Sequence, residues 1–215
     1  MKSTKQQFLL AVMCIASVGL ASCAMSPRSS STDSSKSDRS ARSTTKGEQA
    51  AGVDEFNSGL ELLHQKKFSE AEKTFSDLAS ANPTLSGPVA NLGIVYYQSN
   101  RLPEAQKALE KAATLNPKNA AVYNYLGMIH RQSGRFTDAK AAYQKAQAAD
   151  PQYAFAYLNL GILYDLYLND PSNALEQYKQ YQALQQTKDK QVDMWIVDIE
   201  KRNKVANAKG KEVKP

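Results

Sequence analysis

The sequence predicts an all-α protein made of stacked helical hairpins, and three observations predict it. Gly59, Gly93, Gly127 and Gly161 stand 34 residues apart, and Pro83, Pro117 and Pro151 keep the same interval. Between these marks apolar residues recur at helical spacing, without the strict alternation of a half-buried strand. A fixed period of this length marks a unit that cannot bury its apolar face alone and buries it against its neighbours.

Each unit reads as two helices, A and B. The segments Asn91-Leu92-Gly93-Ile94-Val95-Tyr96, Tyr125-Leu126-Gly127-Met128-Ile129-His130 and Asn159-Leu160-Gly161-Ile162-Leu163-Tyr164 place one glycine in the middle of an apolar stripe. A glycine there costs about 1 kcal/mol against alanine, so close packing must compensate. Ala71, Ala105 and Ala139 supply a second small residue on helix B, and the pattern predicts that Gly127 faces Ala139 across the pair. Phe75, Leu109 and Tyr143 follow one turn later. The prolines then stop helix B, because proline cannot donate inside a helix and biases its predecessor away from the α region. The helices are placed at 53–65 and 68–81, 86–99 and 102–115, 120–133 and 136–149, and 154–168 and 171–186, joined by turns such as Ser99-Asn100-Arg101 and Ser133-Gly134-Arg135.

With glycine, alanine, the large residue and proline in phase, the pattern resembles the tetratricopeptide repeat (TPR) family over residues 52–186. The resemblance implies a superhelix of four helix-turn-helix repeats whose A helices line a concave face. Two repeats depart from the pattern. Ser58 and Leu62 stand where leucine and tyrosine are usual, and Asn169-Asp170-Pro171 adds a residue, so that Ala174 falls one step late and Tyr181 stands where Ala112 and Ala146 stand in the central repeats. Residues 187–205 form an amphipathic segment with Val192, Trp195, Ile196 and Ile199 at helical spacing. A terminal repeat needs a polar outer face, so this segment reads as a capping helix, the alternative being Trp195 as a partner contact. Residues 206–215 read as a disordered basic tail.

The N-terminus explains both cysteines. Lys2 and Lys5 precede an apolar run over 8–20. At 1.5 Å per residue that run spans about 20 Å, too short for a hydrocarbon core of about 30 Å, so 1–22 reads as a signal peptide. Leu20-Ala21-Ser22-Cys23 is similar to a bacterial lipobox, which implies cleavage before Cys23 and lipidation of its thiol; the alternative is an ordinary signal with an incidental cysteine. Cys14 would leave with the signal, so no disulfide is expected. Ala24, rather than aspartate, follows the cysteine, which by analogy with the family implies the outer membrane, facing the periplasm. Residues 23–51 are rich in serine, threonine and scattered Arg and Lys, and read as a lipid-anchored flexible tether; a contact of its basic residues with cell wall or headgroups is the alternative.

Nothing in the sequence points to catalysis. His64 and His130 have no carboxylates at metal-binding spacing, no nucleophile sits in a recognisable elbow, and no glycine-rich phosphate loop occurs. No cofactor, metal or small-molecule substrate is expected. The net charge of +6 lies largely in tether and tail, and with an export signal it does not argue for nucleic acid.

What remains is protein binding. By the resemblance, the groove is lined by residues three and two before, one after and four or five after each glycine. The candidates are Asn57, Asn91, Tyr97, Asn124, Tyr125, Met128, Arg131, Asn159, Ile162 and Asp165, with Leu60, His64, Ile94, Gln98, Gln132 and Leu158 beside them. An asparagine amide both donates to and accepts from a peptide backbone, so Asn57, Asn91 and Asn159 at one repeat phase suit a bound segment, although that asparagine also recurs for structural reasons. Of the basic pattern that clamps a C-terminal carboxylate in chaperone-type TPR domains, only Arg131 is present. The expected function is a non-catalytic, lipid-anchored periplasmic adaptor. The layout resembles TPR proteins found with TonB–ExbB–ExbD energy transducers, through Ala156-Tyr157-Leu158-Asn159-Leu160-Gly161-Ile162-Leu163-Tyr164-Asp165-Leu166-Tyr167 and Trp195-Ile196-Val197-Asp198-Ile199-Glu200-Lys201-Arg202. It also resembles pilotin-type lipoproteins that assemble the type IV pilus secretin. A regulator of peptidoglycan enzymes and a plain structural spacer are the remaining alternatives.

Overall fold

The computed structural model describes residues 39–212, and side-chain environments over 52–204. The signal segment and Cys23 lie outside the described residues. Nine helices and no strand occur among the described residues. They are α1 (Arg39–His64), α2 (Phe68–Ala81), α3 (Ser86–Gln98), α4 (Leu102–Leu115), α5 (Ala120–Gln132), α6 (Phe136–Ala149), α7 (Ala154–Leu166), α8 (Pro171–Ala183) and α9 (Lys190–Glu212). None is long and apolar enough to cross a membrane.

Two ends differ from expectation. Helix α1 begins at Arg39, inside the stretch read as flexible tether, and α9 continues to Glu212, through most of the stretch read as disordered tail. Both extensions grow from a packed helix, so nucleation is already complete and each added residue gains a hydrogen bond. Composition alone does not register that advantage.

The turns between paired helices follow one device. Lys66, Asn100, Gly134 and Asn169 all have positive φ, at 59°, 62°, 73° and 50°. This left-handed residue ends helix A and aims the chain back along it. Glycine fills the place once, and asparagine, which tolerates the conformation, fills it twice. The extra residue of the fourth unit is absorbed here: Asn169 takes the left-handed conformation, Asp170 caps α8 by accepting from the Asn173 backbone N–H, and Ala174 and Tyr181 are both buried.

Within each pair, the glycine meets the large residue of helix B. A Cβ on Gly93 would lie 2.6 Å from Leu109 Cγ, one on Gly161 2.7 Å from Tyr178 Cδ1, and one on Gly59 2.8 Å from Phe75 Cε1. Gly127 abuts the Tyr143 ring in the same way, not Ala139 as the sequence predicted. The alanines are nonetheless fully buried, because the small side chain lets the helices approach while the ring one turn later fills the space over the glycine.

Each helix packs on the next in the chain. Successive A helices also approach backbone to backbone (α1 with α3, α3 with α5, α5 with α7), whereas successive B helices stay farther apart, α6 reaching α8 through the Gln147 Nε2 bond to Gln177 Oε1 at 2.7 Å. The stack therefore curves with the A helices on its inner side. The order of approach is not uniform, since α5 and α7 are pressed closer than α1 and α3. At the C-terminal end Val192, Trp195 and Ile199 of α9 are buried, with the Trp195 ring 5.4 Å from that of Tyr178.

Candidate functional site

The inner face presents the same helix positions four times, but with different accessibility. Asn57 on α1 is exposed, as is His64, while Leu60 is half-buried. On α3, Asn91, Ile94 and Gln98 remain half-buried, and Asn91 Nδ2 donates to the Gly87 carbonyl of its own helix at 3.0 Å. Tyr97 is buried; its ring stands edge-on to Tyr125 at 5.3 Å, and its hydroxyl accepts from Gln132 Nε2 at 3.0 Å. Burial pushes its phenol up to about 12, so it stays neutral at physiological pH.

In the third and fourth repeats Asn124, Met128, Arg131, Ile162 and the Asp165 side chain turn inward, while Tyr125 and Asn159 are half-buried and Gln132 is exposed. Asn124 is only 4% exposed, and its Oδ1 accepts from Asn159 Nδ2 at 2.9 Å, joining α5 to α7. Its own Nδ2 points to Met128 Sδ at 3.7 Å. Met128 and Ile162 are buried in the main core, and Arg131 is 4% exposed, its guanidinium 5.9 Å from the centre of the Tyr167 ring. Arg131 Nη1 finds no hydrogen-bond partner among the described residues. Asp165 has a side chain only 2% exposed, and its Oδ1 accepts from Arg202 Nη2 of α9 at 2.9 Å.

The structure thus brings Tyr97, Tyr125, Asn124, Met128, Arg131, Asn159 and Ile162 into one continuous wall, but most of that wall is packed. The open part lies over α1 and α3, with Tyr125 and Gln132 at its far side. Arg202 is a residue that sequence reasoning missed as a partner of this face. The signal was present in the run Trp195 to Arg202, where Arg202 follows the buried Ile199 by three positions on the flank nearest the preceding A helix.

A second concavity of about 520 Å³ opens between α4 and α6 over α5, lined by Glu110, Thr114, Tyr123, His130, Asp138 and Lys145 among others. His130 Nδ1 meets no partner there, and burial, with Arg135 nearby, lowers its pKa, so the imidazole is neutral at neutral pH. No group of three or more His, Cys, Asp or Glu side chains among the described residues could hold a metal.

The paired helices, the glycine–ring contact and the 34-residue phase are matched from outside: the family model of the tetratricopeptide repeat covers residues 90–154. The fold is the tetratricopeptide-repeat fold. Among solved structures, that of Pseudomonas aeruginosa PilF is 20% identical and superposes with a TM-score of 0.66, covering 74% of this chain and 71% of that one. The thermophilic TPR protein TTC0263 of Thermus thermophilus is 18% identical, with a TM-score of 0.59 over 69% of this chain and 80% of its own. MamA is 25% identical, with a TM-score of 0.52 over 59% of this chain and 74% of its own. No curated protein matches by sequence. TPR folds serve as protein-interaction scaffolds.

Proposed function

We propose that the protein is a non-catalytic adaptor, held at the outer membrane through lipid on Cys23 and facing the periplasm, that grips a segment of a protein partner along the inner face of its TPR stack. The observation that carries the binding reading is the gradient of accessibility along that face. At the residue after each glycine, Leu60 and Ile94 keep solvent-facing surface whereas Met128 and Ile162 are buried, while the positions two before and five after the glycine stay at least partly open in all four repeats. The partner's main contacts therefore fall on α1 and α3, with Tyr125 and Gln132 closing the far side. The mixture of amide donors and acceptors with half-buried Leu60 and Ile94 suits an uncharged, amphipathic segment.

The anchor reading rests on the order of charge, apolar run, small residues and Cys23 in the sequence. Stable attachment requires more than one acyl chain, which a diacylglycerylated cysteine supplies. The residue resemblance noted above favours an energy-transduction machine of the TonB type. The pilotin-type assembly factor is the second reading, favoured by the superposition on PilF over 74% of this chain.

The test is site-specific photo-crosslinking in intact cells, with the crosslinker in place of Asn57, Asn91 or Gln98, and of Lys107 on the outer side as control. One envelope protein should be captured from the three inner positions and not from Lys107, and Cys23→Ser should move the protein from membrane to soluble fraction. Equal capture from Lys107, or no capture from the inner positions, would overturn the groove. Unchanged fractionation would overturn the anchor.

A further inference from the structure

On the side of the B helices, the cleft between α4 and α6 is opened by small residues. Ala113 of α4 and Ala142 of α6 both line it. One repeat on, with the inserted residue counted, their places are taken by Gln147 and Gln177, which bond across from α6 to α8 at 2.7 Å. One repeat back, Tyr96 stands in the place of His130 and bonds through its hydroxyl to Glu72, and Lys107 stands in the place of Ala141. The middle cleft has neither the glutamine pair nor the tyrosine, and about 520 Å³ stays open.

Similar exchanges free its charges. In the second repeat Glu104 is tied to Arg101 at 3.0 Å. Asp138 holds the position of Glu104, but Arg135, in the place of Arg101, bonds to Gln106 Oε1 at 2.8 Å. Asp138 and Lys145 therefore line the cleft without an ion pair among the described residues. Glu110 and Asp138 both act on the His130 imidazole, so these three mark one end of the cleft. That end is acidic, because burial, and then Arg135, keep the imidazole neutral. Lys145 lies two helical turns beyond Asp138 on α6, about 10 Å away. Between the two poles the cleft is lined by the apolar Ala113, Ala142 and Leu126.

We infer that this cleft binds a short free peptide of small apolar residues, its terminal ammonium against Glu110 and Asp138, its terminal carboxylate against Lys145 and its side chains over the alanines. The length follows from the poles. In a single amino acid the two charges flank one Cα and cannot reach both ends, whereas about three extended residues, at roughly 3.3–3.6 Å each, span the distance. An internal stretch of a protein chain lacks both termini and leaves the two poles unanswered. The cleft opens between B helices and is separate from the inner face over α1 and α3, so it stands or falls independently of the partner groove.

The probe is trialanine with free termini, compared with its N-acetyl form and its C-terminal amide by ligand-observed NMR titration on the full chain. Trialanine should bind most tightly, and each cap should weaken binding about fivefold, the scale of an exposed ion pair. Lys145→Gln should bind trialanine and its amide alike, and Glu110→Gln with Asp138→Asn should bind trialanine and its N-acetyl form alike. Ala113→Gln with Ala142→Gln, which rebuilds the bridge of the next cleft, should abolish binding with unchanged circular dichroism. Asn91→Ala with Gln98→Ala should leave it unchanged. Equal binding of all three peptides, no binding of trialanine, persistence of both cap effects in the charge variants, or loss of binding through Asn91 and Gln98 would each overturn the assignment.

Discussion

Asn159 on α7 donates from Nδ2 to the Oδ1 of Asn124 on α5 at 2.9 Å, and this bond joins two A helices that their sequence neighbours do not join directly. Asn124 is almost wholly buried, so its carbonyl depends on that donor. Asn159→Ala should therefore cost about 1–3 kcal/mol, the penalty of a buried acceptor left without its partner. Asn91→Ala, at the same repeat position, removes only a bond to its own helix and should cost less. Chemical denaturation of the two variants checks the order; equal losses would mean that the cross-helix bond contributes nothing.

Gly127 lies against the Tyr143 ring, and Ala139 is fully buried beside it. Gly127→Ala and Ala139→Leu should each overpack this contact and destabilise by about 1–3 kcal/mol. Gly52, also helical, has nothing near its missing Cβ, so Gly52→Ala should instead stabilise by up to about 1 kcal/mol. Thermal melts of the three variants read the signs directly.

Arg202 is half-exposed, but the Asp165 carboxylate that it meets is not. Arg202→Ala removes a charge-assisted bond from a desolvated acid, for a cost of about 1–3 kcal/mol. Because the pair ties α9 to α7, amide hydrogen exchange in α9 should rise more than in α3. A uniform change along the chain would show that the ion pair does not hold the cap.

Burial lifts the Tyr97 and Tyr181 phenols to about 12, and drives those of Tyr143, Tyr153 and Tyr178 higher still. An acid whose folded pKa lies above its unfolded value of about 10 stabilises the fold fully below pH 10 and loses that contribution as pH rises toward 12. Stability should thus be flat up to about pH 9 and fall steeply beyond 10. Absorbance at 295 nm should show exposed tyrosines titrating first and the buried set ionising only with unfolding. A single smooth titration of all tyrosines near 10 would contradict their burial.

By itself the sequence determined the repeat. Glycine, alanine and proline in phase placed α2, α4 and α6 to the residue and the other repeat boundaries within a few positions, except at the start of α1, because these constraints are local: a close approach, a helix stop, an apolar stripe. The periodicity also singled out Val192, Trp195 and Ile199 as a cap. Tertiary structure decided the rest. Which residue fills the space over each glycine depended on helix crossing, and the ring one turn beyond the alanine took it. Whether a groove position is open or closed depended on how near the neighbouring A helix lies, so Leu60 and Met128, at the same repeat position, end half-buried and buried. The pairing of Asp165 with Arg202 arises because stacking brings together residues whose separation in the chain carries no local signal.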